Sequence, residues 1–160
     1  MTTTFRRKTN RLPSHVYRGP IACSLTIACD RRRPLFRDPS LAANCIDDLR
    51  RAAEKHDMRV YAYCFMPDHV HLLVQGGPES FIPDFVHDFK GTTGNEFLKT
   101  TGGRLWQEGY HDHVLRAYEG LLETARYIAA NPVRAGLVAY ARDYPYLGSF
   151  VWDRGAVVEA

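Results

Sequence analysis

Tyr61-Ala62-Tyr63-Cys64-Phe65-Met66-Pro67-Asp68-His69-Val70-His71-Leu72-Leu73-Val74 is the stretch on which the fold turns. Two strand-like runs flank Met66-Pro67-Asp68. Proline pre-sets a turn angle and aspartate stabilises turns, so the spacing predicts antiparallel strands over 58–66 and 69–75. Strand side chains alternate between faces. His69 and His71 therefore point one way, and Val70, Leu72 and Val74 point the other way, into a core.

Residues 20–29 read as an earlier strand, followed by a basic turn from Asp30 to Pro34. A helix is predicted from Pro39-Ser40, with Ser40 as its cap, to about His56. Leu41, Cys45, Ile46 and Leu49 recur along it at helical spacing. Gln75-Gly76-Gly77-Pro78 ends the third strand. Phe81, Phe85 and Phe89 suggest a helix over 80–99, weakened in its middle by Gly91 and Gly94. After the Thr101-Gly102-Gly103 loop comes a short strand near 110–115. A last helix is expected from Glu119 to Ala130, because Pro132 disfavours helix at Asn131. This order fits an α+β fold, an antiparallel sheet with helices on one face. We expect a flexible basic arm over 1–16, one domain over 17–150 and a C-terminal tail over 151–160.

The chain has 160 residues and is 45% hydrophobic, which suits one domain with a proper core. No apolar run reaches the roughly 20 residues that span a bilayer. No apolar stretch follows the N-terminal basic residues as in a signal peptide. No membrane partner is expected, and the location expected is cytoplasmic. Cys23, Cys29, Cys45 and Cys64 contain no C-x-x-C pair, so they read as core residues rather than a zinc site.

The net charge of +3 hides an asymmetry. Residues 1–37 carry nine Lys/Arg and one acid, or +8; the other 12 basic and 17 acidic residues give −5. A basic front end, with Arg31, Arg32 and Arg33 clustered after a strand, is a footprint for nucleic acid.

Two imidazoles on one face of a strand can share a divalent metal. Tyr127 lies off the apolar stripe of the last helix, on a more polar stripe with Gly120, Glu123 and Asn131, where it can face a cleft. A metal-binding histidine pair with one tyrosine suggests phosphodiester chemistry by a tyrosine nucleophile. Asn131 has a second reading, as the cap of a short turn begun by Pro132 and ended by Gly136. A histidine-triad nucleotide hydrolase would need a third histidine where this chain has Leu73.

Ordered stretches now converge. They are Arg31-Arg32-Arg33-Pro34-Leu35-Phe36, Met66 to Val74, Phe89-Lys90, Leu105 to Arg116, and Tyr127 to Val138. Together they resemble the REP-associated tyrosine transposases, a bacterial branch of the single-tyrosine HUH transposases. The resemblance implies a ferredoxin-like palm, with His69 and His71 binding Mg²⁺ or Mn²⁺ and Asn131 as a third metal ligand. It implies Tyr127 as the nucleophile, forming a 5′-phosphotyrosine on single-stranded DNA at hairpins. The expected DNA contacts are Arg31, Arg32, Arg33, Lys90 and Arg116. His111 and His113 are candidates for assisting the tyrosine. The expected setting is the bacterial nucleoid, with monomer and dimer both open. The alternative reading is a DNA-binding protein that descends from such a transposase and leaves the metal site unused.

Overall fold

The computed structural model describes residues 11–117 and 119–158. The hairpin forms as its sequence requires. Strand β2 (Met58–Met66) and strand β3 (His69–Gly76) pair antiparallel across the Pro67-Asp68 turn. Strand β1 (Ala22–Ala28) joins the other edge of β3, with Thr26 opposite His71 and Ala28 opposite His69. Strand β4 (His111–Val114) pairs with β1, and the two-residue β5 (Leu147–Gly148) closes the far edge on β2. The sheet order is β4-β1-β3-β2-β5.

Helix α1 (Pro39–Lys55) connects β1 to β2, and α2 (Ile82–Thr101) connects β3 to β4. The chain order β1-α1-β2-β3-α2-β4 in a 4-1-3-2 sheet is the ferredoxin-like palm. The cap of α1 is Asp38, which accepts a hydrogen bond from the Ser40 amide at 3.0 Å; Ser40 is the donor to the cap and not the cap itself. Pro39 takes the first helical turn, where a missing N–H costs nothing.

The expected helices on one face are α1 and α2. They cover Leu25, Ile27, Val70, Leu72 and Val74 with Leu49, Phe85 and Phe89. The opposite face of the sheet is covered as well. Helix α3 (Leu121–Ala129) lays Ala125, Ile128 and Ala129 on Ala62, Cys64, Met66 and Leu73. Small residues on both sides let this helix lie close to the strands. A register shift between Val60 and Ala62 changes which residues of β2 face each layer. The extra residue, Tyr61, turns β2 over. Val60 faces α1 and α2, whereas Ala62, Cys64 and Met66 face α3.

Two expectations about the ends are altered. The first ten residues of the proposed arm lie outside the described residues, but Arg11 sets its guanidinium 3.9 Å over the Tyr110 ring, and Ser14–Tyr17 form a 3-10 turn with Tyr17 buried. The stretch expected as a tail, 151–160, is packed over its described part. Trp152 stacks on Tyr61 with centroids 4.9 Å apart, and α5 (Arg154–Val158) buries Val157 against α3. Arg154 donates to the carbonyls of Leu147 and Arg142. All four cysteines are buried and free. Among the described residues, no helix is long and apolar enough to cross a membrane.

Candidate active site

The half of the sheet left open beside α3 carries the histidines. Strand alternation puts His69 and His71 on that face, and register adds Thr26 and His111 in the same row as His71. The two imidazoles meet edge to face, with Nε2 atoms 3.0 Å apart. Each outer nitrogen is held. His69 Nδ1 lies 2.6 Å from Asp68 Oδ1, and His71 Nδ1 lies 3.1 Å from Thr26 Oγ1. Arg32 Nε approaches the other Asp68 oxygen at 3.4 Å.

One proton assignment satisfies the whole row. His69 donates from Nδ1 to Asp68, His71 donates from Nε2 to His69, and Thr26 donates to His71. Burial, reinforced by His69 and Arg134, pushes the His71 pKa down to about 4. His71 is therefore neutral at pH 7, with a lone pair to offer. The Thr26 hydroxyl can also accept, so His71 can move its proton to Nδ1 and free Nε2.

This pair fits a divalent ion. Two neighbouring ligands of an octahedral ion, each about 2.1 Å from it, stand about 3 Å apart. Outer-nitrogen partners of the kind seen here orient ligating histidines. Among the described residues, no third His, Cys, Asp or Glu joins them.

Tyr127 projects from α3 away from the core. It is 67% exposed, and its hydroxyl has no hydrogen-bond partner among the described residues. Its ring is covered by the Arg134 guanidinium, 4.0 Å from the centroid. Arg134 belongs to α4 (Asn131–Arg134), which Pro132 starts and Gly136 ends at φ +73°. The guanidinium also donates to the Tyr127 carbonyl at 2.9 Å and to Asn131 Oδ1. Asn131 thus makes no side-chain cap, and its oxygen is engaged by Arg134. Arg134 lies close enough to His71 to depress its pKa. Its ring contact is with Tyr127 and its charge is felt at His71; nothing in the spacing of the sequence distinguishes it from a helix-end cation.

The expected DNA contacts divide. Arg31 is exposed, with no partner among the described residues; Arg31 and Arg32 both take left-handed angles, φ 53° and 54°. Such angles are costly for non-glycine residues and cluster at functional sites. Arg33 is tied to the Arg104 carbonyl at 2.8 Å and to Asp30. Lys90 is engaged within the protein. Its Nζ donates to the carbonyls of Gln107 and Gly109 at 3.0 and 2.7 Å, and burial lowers its pKa. Arg116 is exposed in the turn after β4, with its amide on Glu119. His113 is held by the Glu119 carboxylate at 3.0 Å, whereas His111 is exposed.

Comparison with known proteins bears on the family and the fold. The profile of the family described as Transposase IS200 like matches residues 21–131, and the chain belongs to that family. It is 38% identical over 72 residues to the ISDra2 transposase TnpA of Deinococcus radiodurans, covering 40% of this chain and 51% of that one. The chain thus spans about half the length of that relative. It is 27% identical over 128 residues to a Haemophilus influenzae protein assigned provisionally to the REP-associated tyrosine transposases, covering 69% and 72%. Its fold matches a solved REP-associated tyrosine transposase bound to a REP hairpin, with a TM-score of 0.67, 19% identity and coverage of 87% and 82%. A crystal structure of a provisionally assigned transposase from D. radiodurans R1 matches with a TM-score of 0.53, 27% identity and coverage of 69% and 88%.

Proposed function

We propose that this transposase-family protein is a metal-dependent endonuclease and strand transferase acting on single-stranded DNA at hairpins. The observation that carries this reading is the convergence of the two Nε2 atoms on the sheet face crossed by α3, whose Tyr127 is exposed beneath the Arg134 guanidinium. His69 and His71 would hold the ion, with Asn131, whose Oδ1 accepts from Arg134, as the candidate third ligand. Bound Mg²⁺ or Mn²⁺ would offset the charge that grows on the phosphate oxygens.

The Tyr127 oxygen attacks phosphorus, forming an O–P bond, and the bond to the 3′ oxygen breaks. The tyrosine proton leaves, and the 3′ oxygen gains one. The products are a 5′-phosphotyrosine and a free 3′-OH. That hydroxyl can attack the same phosphorus later, so strands can be rejoined without an external energy source. Arg134, planar and always charged, is suited to a phosphate oxygen beside the tyrosine. Arg31 is the cation of the basic turn best placed to meet a further phosphate.

The experiment is to incubate the protein with labelled hairpin DNA and Mn²⁺ and to resolve the products on a denaturing gel. A covalent adduct is expected with the native chain and none with Tyr127→Phe. The variant should keep its stability within about 0.5 kcal/mol, because an exposed hydroxyl is all that is lost. An adduct that persists in Tyr127→Phe would place the nucleophile elsewhere. Tyr110 would be tested next, although burial raises its pKa and Arg11 covers its ring.

A further inference from the structure

The basic turn and the histidine hairpin are built as one unit. Residues 30–36 follow β1, yet they are stitched to the turn between β2 and β3. The Cys29 amide donates to the Asp68 carbonyl at 2.9 Å, and the Phe36 amide donates to the Pro67 carbonyl at 3.0 Å. On its other side the turn is fixed by the Asp30 amide on the Leu105 carbonyl at 2.8 Å and by Arg33 on the Arg104 carbonyl, also at 2.8 Å. Between these ties Arg31 and Arg32 are held in succession at left-handed angles, φ 53° and 54°. That conformation favours glycine, and arginine gains nothing locally from it. Tertiary ties hold the strain, and what they achieve is the placement of two guanidinium groups.

The two placements differ. Arg31 is exposed. Arg32 sits against Asp68, whose Oδ2 lies 3.4 Å from its Nε. The other oxygen, Oδ1, lies 2.6 Å from His69 Nδ1. One carboxylate is thus shared between a cation of the turn and a histidine of the pair. The Arg32 contact is the loose one. At 3.4 Å it makes no hydrogen bond, and 54% of the Arg32 side chain is exposed. An exposed ion pair contributes little. A phosphate accepts two aligned bonds from the same guanidinium. A phosphate that reaches the turn beside Arg31 would therefore displace Asp68 as the partner of Arg32.

The charges give the sign of the effect. A carboxylate on the outer nitrogen makes a histidine a better ligand. A guanidinium on that carboxylate opposes this, and its charge also repels a divalent ion nearby. Its transfer to a phosphate relieves both. We propose that Arg32 couples DNA to the metal site: paired with Asp68 it weakens the hold of His69 on the ion, and drawn onto a DNA phosphate it leaves Asp68 to strengthen that hold. By linkage the same factor applies in reverse, so a bound ion tightens the phosphate on the turn. The inference rests on the metal-dependent, single-stranded-DNA reading and adds Arg32 to it as a positioning residue that acts through Asp68.

The test follows the EPR signal of free Mn²⁺ as protein is added, with and without a saturating single-stranded oligonucleotide, and with the oligonucleotide alone as blank. Every chain carries Tyr127→Phe, so that no strand is cut. Salt is held at roughly 0.15 M, where exposed charges more than about 8 Å apart are largely screened. Without DNA, Arg32→Gln should bind Mn²⁺ about threefold more tightly than the parent, the scale of an exposed ion pair. With DNA the two should agree, so the tightening that DNA brings is smaller in the variant. Arg32→Lys should return the DNA-free affinity toward that of the parent, and Arg31→Gln should leave it unchanged. In an Asp68→Asn background the effect of Arg32→Gln should shrink. Weaker Mn²⁺ binding in Arg32→Gln would overturn the proposal in favour of an arginine that only props Asp68 in place. Equal effects of Arg31→Gln and Arg32→Gln would overturn it in favour of a general field, and no effect of Arg32→Gln would overturn it outright. Each of these results leaves the covalent adduct of the native chain intact. If the native chain formed no adduct and bound neither Mn²⁺ nor single strands, the functional reading itself would fall, and this proposal with it.

Discussion

Thr26 is the residue that lets one histidine serve two proton states. Its hydroxyl sits 3.1 Å from His71 Nδ1 and can donate or accept. With an ion bound, His71 must carry its proton on Nδ1, and the hydroxyl becomes the acceptor. Thr26→Val keeps the branched shape that strands favour but removes that partner. It is expected to weaken Mn²⁺ binding by about tenfold or more, the usual scale for losing an outer-nitrogen partner, with the fold retained. Titration calorimetry measures this directly, and unchanged affinity would show that His71 is oriented by its packing alone. Asp68 plays the matching part for His69, and its tie to Arg32 links the site to the basic turn.

At the scale of elements, the contact between α1 and α2 contains a mismatch. Asp48 on α1 is buried, with Oδ1 on Arg51 at 2.7 Å and no donor for Oδ2 among the described residues unless Glu96 is protonated. Glu96 on α2 faces it. A hydrogen bond with Asp48 and then burial raise the Glu96 pKa, since a proton there lets it donate to the neighbouring carboxylate. The sign follows from linkage. A raised folded-state pKa gives stability that is complete below the ordinary glutamate value and is lost as pH rises through the folded value. Glu96→Gln supplies a permanent donor without the charge. It should raise the melting temperature at pH 7, and the gain should shrink as the pH falls toward 4. A pH-independent difference in thermal melts would show that the two carboxyl groups do not interact.

At the scale of the molecule, the C-terminal segment closes the core beneath α3. Arg126 on α3 donates to the Ala156 carbonyl at 3.0 Å, Val157 is buried, and Trp152 covers Tyr61. Ending the chain after Phe150 should cost about 2–4 kcal/mol, the scale of a lost aromatic pair and a buried aliphatic. Amide exchange should speed up in Leu121–Ala129 while β1 and β3 stay protected, because they pair with each other and α1 and α2 still cover one face of both. Uniform loss of protection across the sheet would mean that the two core faces unfold as one.

Much of this arrangement is local and can be read from the chain. Period-two alternation placed both histidines on one face, the Pro67-Asp68 turn fixed the hairpin, and helical spacing located α1, α2 and α3. Tyr127 could be singled out because it lies off the apolar stripe of its own helix. What escaped depends on partners far apart in sequence. The Tyr61 register shift flips half of β2, and no periodicity announces it. Lys90 reads as a free cation until the carbonyls of Gln107 and Gly109 come to it. The segment after Phe150 reads as a tail until Tyr61 and α3 offer it an apolar surface. Arg134 acquires a role only when the chain turns at Pro132 and folds the guanidinium back over Tyr127 toward His71. Local periodicity sets the direction in which a side chain leaves its own element; only tertiary packing decides what it meets there, because desolvation and charge pairing depend on atoms brought together from distant positions.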